Sequence, residues 1–247
     1  MTIGGLQKFS MLDYPGHLAA IIFTQGCNFR CHFCYNPLLV WPQPDVTNSS
    51  APQGETGGAE QTDQRINLAD LFVFLRGRQG KLEGVVITGG EPTIHADLPD
   101  FIREIRALGY KIKLDTNGTN PEMIERLTRD RLVDYLAMDV KSSPARYAET
   151  VGAAVDLEKI KKCAKMIMAS NLPYEFRTTA VPGLVEIEDI EEIGQMISGA
   201  EKWFIQQFRS NTDLVDHALE GAAAHRQEYL LELKRIGQQY AKNCELR

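Results

Sequence analysis

The chain has 247 residues, 43% hydrophobic and 24% charged, with 27 Lys and Arg against 33 Asp and Glu and a formal net charge of −6. This composition describes a globular chain with a sizeable core and speaks against non-specific nucleic-acid binding, which needs a basic surface. No apolar run is long enough to read as a membrane span, and the N-terminus lacks the charged-then-apolar order of a signal peptide, so a cytoplasmic location is expected.

In chain order, residues 3–15 carry Gly and Pro punctuation and predict a short hairpin or cover before the first strand. Apolar, β-rich runs fall at 18–24, 85–88, 111–115, 135–140, 174–181 and 203–208. Helical patterns lie between them. Residues 66–78 put Leu68, Leu71, Phe72 and Leu75 on one face, and 98–108 do the same with Phe101, Ile102, Ile105 and Leu108. Further helices are predicted at 121–128, 157–169 and 187–197, with a last one over 217–241. Residues 42–65 hold almost no large apolar side chain and read as a flexible surface insertion. Strand–helix alternation of this regularity implies βαβ units and a parallel sheet. The strand–helix pairs are too few to close a full barrel. The expected fold is therefore a single α/β domain, a partial (β/α)6 barrel of parallel strands.

Cys27, Cys31 and Cys34 form a C-x3-C-x2-C group, a spacing that five cysteines in 247 residues produce by chance roughly once in a thousand chains. Three thiolates suit a [4Fe–4S] cluster with one iron left open, since full protein ligation takes four cysteines. A structural zinc site wants four ligands, for which His32 or His17 would have to join the three. Cys163, inside an apolar helical pattern, reads as a buried small hydrophobe, and Cys244 as incidental.

In parallel α/β folds reactive loops lie at the C-terminal ends of strands. That rule gathers the cysteine loop, Gly89-Gly90-Glu91-Pro92, Asp115-Thr116-Asn117-Gly118, Asp139-Val140-Lys141, Arg177 and Gln206 to Arg209 around one mouth. Glu91 could cap the turn that follows it, or it and nearby carbonyls could accept from an ammonium group across bare glycine backbone. Asp115 and Thr116 could form a plain turn, or bind hydroxyls or a cation. Asp139 and Lys141 share a strand face and could be an ion pair.

The cysteine spacing with Phe33 before the last cysteine, followed by Gly-Gly-Glu, Asp-Thr-Asn-Gly and Asp-Val-Lys, resembles the radical S-adenosylmethionine (SAM) superfamily. Gly-Gly-Leu-Gln-Lys-Phe-Ser, Asp-Tyr-Pro-Gly and Thr-Gln-Gly-Cys-Asn narrow the likeness to activating enzymes of glycyl-radical enzymes. Among these, the longer anaerobic ribonucleoside-triphosphate reductase activating proteins are the most alike. The resemblance covers nearly the whole chain outside 42–65.

It implies that Cys27, Cys31 and Cys34 hold the cluster and that Gly89, Gly90 and Glu91 receive the methionine amino group of SAM. It places Lys141 and Arg177 near the methionine carboxylate, and Phe33 with its neighbouring backbone against adenine. Asp115, Thr116 and Asp139 match positions that help hold a monovalent cation. The implied partners are a glycyl-radical enzyme, foremost anaerobic ribonucleotide reductase, and a flavodoxin or ferredoxin-type electron donor. Tyr35 stands where such activases often have His, and Arg209 where some have another. The insertion lacks cysteines, so one cluster is expected. A radical enzyme acting on a small molecule, or a non-catalytic metal-binding or redox-sensing protein, are the competing functions.

Overall fold

The structure, a computed structural model, describes residues 1–41 and 66–247; the insertion expected at 42–65 lies outside the described residues. Eight strands make one sheet in chain order: β1 Ile3–Ser10, β2 Ala19–Thr24, β3 Gly84–Gly89, β4 Lys111–Thr116, β5 Tyr135–Asp139, β6 Tyr174–Ala180, β7 Ala200–Gln207 and β8 Ala241–Leu246. β1 runs antiparallel to β2, and every later pairing is parallel. The helices are α1 Pro37–Val40, α2 Leu68–Gly77, α3 Leu98–Ala107, α4 Pro121–Arg129, α5 Tyr147–Val151, α6 Leu157–Ala169, α7 Ile187–Met196 and α8 Gln227–Gly237. Strictly sequential parallel strand order, with the right-handed crossover that such connections adopt, puts the crossover helices on one side of the sheet. β1 and β8 are the two ends of that order, so the sheet is open, as in a partial barrel.

The two faces of the sheet divide the sequence between them. Ile22 of β2, Ile87 of β3, Leu114 of β4, Met138 of β5, Phe176 of β6, Trp203 of β7 and Cys244 of β8 point one way into a continuous core with the helices. Burial of each large apolar side chain contributes about 1.5–3 kcal/mol. On the opposite face Ala19, Ile21, Val86 and Tyr135 surround Tyr14 in a small second core near the N-terminal ends of the strands. Tyr14 is 2% exposed and sits edge-on to Tyr135, with ring centroids 6.0 Å apart. The segment expected as a hairpin or cover is thus both: β1 pairs with β2, and the link between them plugs the inner face.

The predicted helix over 217–241 is a correction. The chain there forms a single 3-10 turn at His217–Leu219, then α8, then β8. Gly221 has φ +73, and its N–H donates to Ser210 O at 2.8 Å, which breaks a continuous helix. β8 shows no clean alternation in sequence and forms because it extends the edge of β7, where Cys244 lies opposite Trp203. Cys244 is 1% exposed and meets Gly237 of α8, so it is a packing residue and not incidental. Cys163 is fully buried, as expected.

Candidate active site

The C-terminal ends of β2, β3 and β4 are bound to one another through the loop that carries the cysteines. Gly26 N–H donates to Leu39 O at 2.7 Å and Cys27 N–H to Val40 O at 3.3 Å, which closes the loop back on α1. Gln25 Nε2 ties the same ends together, donating to Leu38 O at 2.7 Å and Trp41 O at 2.6 Å. The Arg30 guanidinium donates to Cys27 O at 2.6 Å and Phe29 O at 2.7 Å and lies 4.1 Å over the Trp41 ring. Gly90 N–H donates to Thr24 O and Glu91 N–H to Gly26 O, both at 2.9 Å. Asn28 joins the cysteine loop to the β4 loop, accepting from Asn117 Nδ2 at 2.8 Å and donating to Thr119 Oγ1 at 2.9 Å.

The two glycines of Gly89-Gly90 are required by this packing. A Cβ on Gly89 would stand 2.3 Å from Thr24 N, and one on Gly90 would stand 1.9 Å from Gly26 O. The neighbour that approaches the bare backbone is the start of the cysteine loop. Glu91 is 1% exposed and does not face the mouth. Its Oε1 accepts from Thr93 N–H at 3.0 Å, Thr93 Oγ1 at 2.5 Å and Thr116 Oγ1 at 2.8 Å, and its Oε2 from Asn117 N–H at 2.6 Å. Burial raises the Glu91 carboxyl above its usual range, against these hydrogen bonds. Glu91 therefore caps its own turn and clamps it to the end of β4.

Thr116 follows from strand parity. Its side chain points to the helix side, is 3% exposed and serves Glu91. Phe33 is 3% exposed, so the ring is part of the core and not an open platform. Thus the structure brings Glu91, Thr116 and Phe33 together at the site, with the Glu91 and Thr116 side chains bonded to the protein and the Phe33 ring buried.

On the inner face, Asp115, Asp139, Lys141 and Arg177 do come together, and Lys113 joins them. Asp115 Oδ1 accepts from Lys113 Nζ at 2.5 Å and its Oδ2 from Arg177 at 3.0 Å. Asp139 Oδ1 accepts from Arg177 Nε at 2.7 Å and its Oδ2 from Lys141 Nζ at 2.9 Å. Burial alone would raise both carboxyls, but Arg177 with Lys113 holds Asp115, and Arg177 with Lys141 holds Asp139, below the usual carboxylate range. Burial likewise works against the charge on Lys141, and Asp139 outweighs it, keeping the ammonium above its usual range. Lys141 Nζ lies 5.9 Å over the Phe33 ring, which links this ladder to the cysteine loop.

Burial pushes the Cys27 thiol up to about 11 and the Cys31 thiol up to about 12. Such thiols ionise when a metal supplies the compensating charge. Phe29 N–H already points at Cys27 Sγ, at 3.4 Å. Among the described residues no three His, Cys, Asp or Glu side chains converge on a point that would hold one metal ion. Thiolates of a cubic cluster bind separate irons and need no common point. The histidines weighed as a fourth zinc ligand are engaged elsewhere. His32 Nδ1 contacts Asp216 Oδ2 at 3.1 Å, and His17 contacts Glu83 beside Tyr14, at the other end of the strands. Tyr35 stacks on Phe208 and its hydroxyl accepts from Arg209 N–H at 3.0 Å, so both departures from the family pattern meet in one contact.

Sequence reasoning missed Lys113 and the bridging role of Asn28, and it placed Asn117 at the mouth without its partners. Lys113 carried a signal: a lysine in an apolar strand, two residues before Asp115, must share its face. The pairing of the two asparagines carried none, because the partners lie far apart in the chain.

An open, mostly parallel sheet with a three-cysteine loop and a charged inner face at its C-terminal edge defines an α/β protein with its candidate site at that edge. The radical SAM superfamily model matches residues 21–197, and the chain belongs to that superfamily. It is 32% identical over 250 residues (99% of this chain, 95% of the relative) to a protein of Methanocaldococcus jannaschii whose name provisionally makes it a glycyl-radical enzyme activating enzyme. It is 25% identical over 203 residues (79% of this chain, 71% of the relative) to the pyruvate formate-lyase-activating enzyme of Streptococcus mutans. The fold is shared with a domain of a pyruvate formate-lyase-activating enzyme from Bacteroides vulgatus, at a TM-score of 0.50 and 18% identity, covering 65% of this chain and 98% of that one. Among the described residues no helix is long and apolar enough to cross a membrane.

Proposed function

We propose that the chain is a glycyl-radical enzyme activating enzyme that holds one [4Fe–4S] cluster through Cys27, Cys31 and Cys34 and binds SAM on the inner face beside it. When bound, the reduced cluster and SAM supply a 5′-deoxyadenosyl radical, which removes a hydrogen atom from a glycine α-carbon of the partner. The observation that carries this reading is the junction of the cysteine loop with the charged ladder through Lys141 and Phe33. Lys113, Arg177 and Lys141 line the inner face between Asp115 and Asp139, and such basic side chains suit the carboxylate of an amino-acid moiety. Gly89 and Gly90 offer backbone carbonyls at the same edge for its ammonium group. The plug around Tyr14 closes the opposite end, so ligands enter from the cysteine side.

Anaerobic ribonucleoside-triphosphate reductase is the partner proposed, with a flavodoxin or ferredoxin as electron donor in the cytoplasm. The N-terminal Gly-Gly-Leu-Gln-Lys-Phe-Ser stretch and the cysteine-free 42–65 segment support that assignment. Exposed Leu38, Trp41 and Ile94 around the cysteine loop support a protein substrate over a small molecule, since apolar side chains grouped at a mouth favour a macromolecular contact.

The test is anaerobic reconstitution followed by iron, sulfide and SAM-cleavage assays, then incubation with candidate glycyl-radical enzymes under electron paramagnetic resonance. Cleavage of SAM with a glycyl signal on ribonucleotide reductase is expected. Replacement of any one of the three cysteines by Ala should abolish cleavage. Uptake of zinc without iron and sulfide would sink the enzyme reading, and a signal only on another glycyl-radical enzyme would sink the partner assignment.

A further inference from the structure

Lys113 is 2% exposed, the most deeply buried of the ladder's basic side chains. A buried ammonium is retained only when it is paired. Its partner is Asp115 Oδ1 at 2.5 Å, and the ring of Tyr135, 5.9 Å from Nζ, lies against it on the same face. With Lys113 in place every carboxylate oxygen of Asp115 and Asp139 has a basic partner from the chain itself: Lys113, Arg177 twice, and Lys141. Thr116 Oγ1 is turned away to Glu91. A metal cation that took up a second lone pair on any of these carboxylate oxygens would lie against the Lys or Arg charge already bonded to it. It would also add a positive charge beside three basic side chains already packed there.

The monovalent cation implied for Asp115, Thr116 and Asp139 therefore does not fit these residues. Resting on the proposed binding of SAM at this mouth, we propose that the Lys113 ammonium is the resident cation of the Asp115 and Asp139 carboxylates. The protein then takes up SAM without a metal cation. Lys113 is a positioning residue: it holds one oxygen of Asp115, so that the other can orient Arg177 toward the ligand carboxylate.

The experiment measures equilibrium binding of radiolabelled SAM to the anaerobically reconstituted protein in sodium, potassium or tetramethylammonium chloride at equal ionic strength. Thermal unfolding of the same proteins in the same salts gives a readout that needs no SAM. The wild-type Kd should agree within about twofold across the salts, with the same Tm in each. K113M keeps the side-chain volume and removes the charge. It should bind about tenfold more weakly in tetramethylammonium and recover most of that loss in sodium or potassium, which should also raise its Tm. K113R should stay independent of the salt.

A wild type that weakens about tenfold, or loses Tm, when sodium and potassium are absent overturns the proposal. So does a K113M protein that is unchanged, or weakened alike in all three salts. If K113M does not fold, the wild-type and K113R salt series decide. Failure of the wild type to bind SAM in any salt overturns the cofactor reading instead, while the Tm series still reports whether a metal cation occupies the carboxylates.

Discussion

Gly90→Ala should uncouple the cysteine loop from the end of β3. Gly90 is not in the left-handed region, so an alanine there meets no backbone strain and acts only through its methyl group. That methyl would stand 1.9 Å from Gly26 O, 2.5 Å from Gly26 C and 3.1 Å from Leu39 O, all backbone atoms without a rotamer to turn away. Overpacking of this kind costs about 1–3 kcal/mol. Relief requires the strands to part, which lengthens Gly90 N–H to Thr24 O and Glu91 N–H to Gly26 O, at about 1 kcal/mol each. The sum, about 3–5 kcal/mol, is a large share of the roughly 5–15 kcal/mol that holds a domain together. Because the displaced peptide directly precedes Cys27, iron and sulfide content after reconstitution should fall with stability. Urea denaturation of the cluster-free chain measures the first effect. Gly77→Ala is the control: nothing lies within 4 Å of its added Cβ at the end of α2, and it should stabilise by up to about 1 kcal/mol. A Gly90→Ala protein with the wild-type urea midpoint and full cluster content would refute the close approach.

Tyr14→Ala removes the plug between Ile21, Val86 and Tyr135 and should cost about 3–5 kcal/mol in urea denaturation; a cost under about 1 kcal/mol would mean the inner face closes without it. Glu91→Gln turns an amide donor toward either Thr93 N–H or Asn117 N–H and should cost about 1–3 kcal/mol for each donor left unpaired, with reduced cluster retention; an unchanged midpoint would remove Glu91 from its clamping role. Asp115 and Asp139 have folded-state pKa values below the ordinary value of about 3.9, so in that interval the unfolded chain binds more protons. Their stabilisation is complete above that ordinary value and falls as the pH drops below it. A urea series on the acid side should show this slope, reduced in D115N/D139N; an undiminished slope in the double variant would assign it to other carboxylates. Ending the chain at Tyr240 removes β8 and bares Trp203, and should abolish a single cooperative transition; retention of one would make β8 an accessory edge.

What was legible in the sequence follows from range. The strands from β2 to β7 could be read because apolar side chains recur on the helix side of each, from Ala20 and Ile22 of β2 to Tyr174 and Phe176 of β6 and Trp203 and Ile205 of β7, and the mouth residues because a parallel fold sends strand ends to one edge. β8 could not, since Lys242 and Asn243 dilute its pattern and its partner β7 lies on the far side of α8.

Within the site, the motifs marked positions but not directions. Asp115 and Thr116 are adjacent, and adjacency in a strand means opposite faces: Asp115 enters the charged ladder while Thr116 serves Glu91 on the helix side. Gly-Gly-Glu resembles a ligand cradle, yet its glycines admit the backbone of Thr24 and Gly26, and its carboxylate is buried under four protein donors. Lys113 shows the converse, a residue outside every motif that parity and burial bring to Asp115. The contiguous motifs therefore divide into inner-face residues of the charged ladder and outer-face residues that hold the loops together. On that division, conservative changes at Glu91 and Thr116 should act on stability and cluster retention, and changes at Lys141 and Arg177 on affinity for SAM.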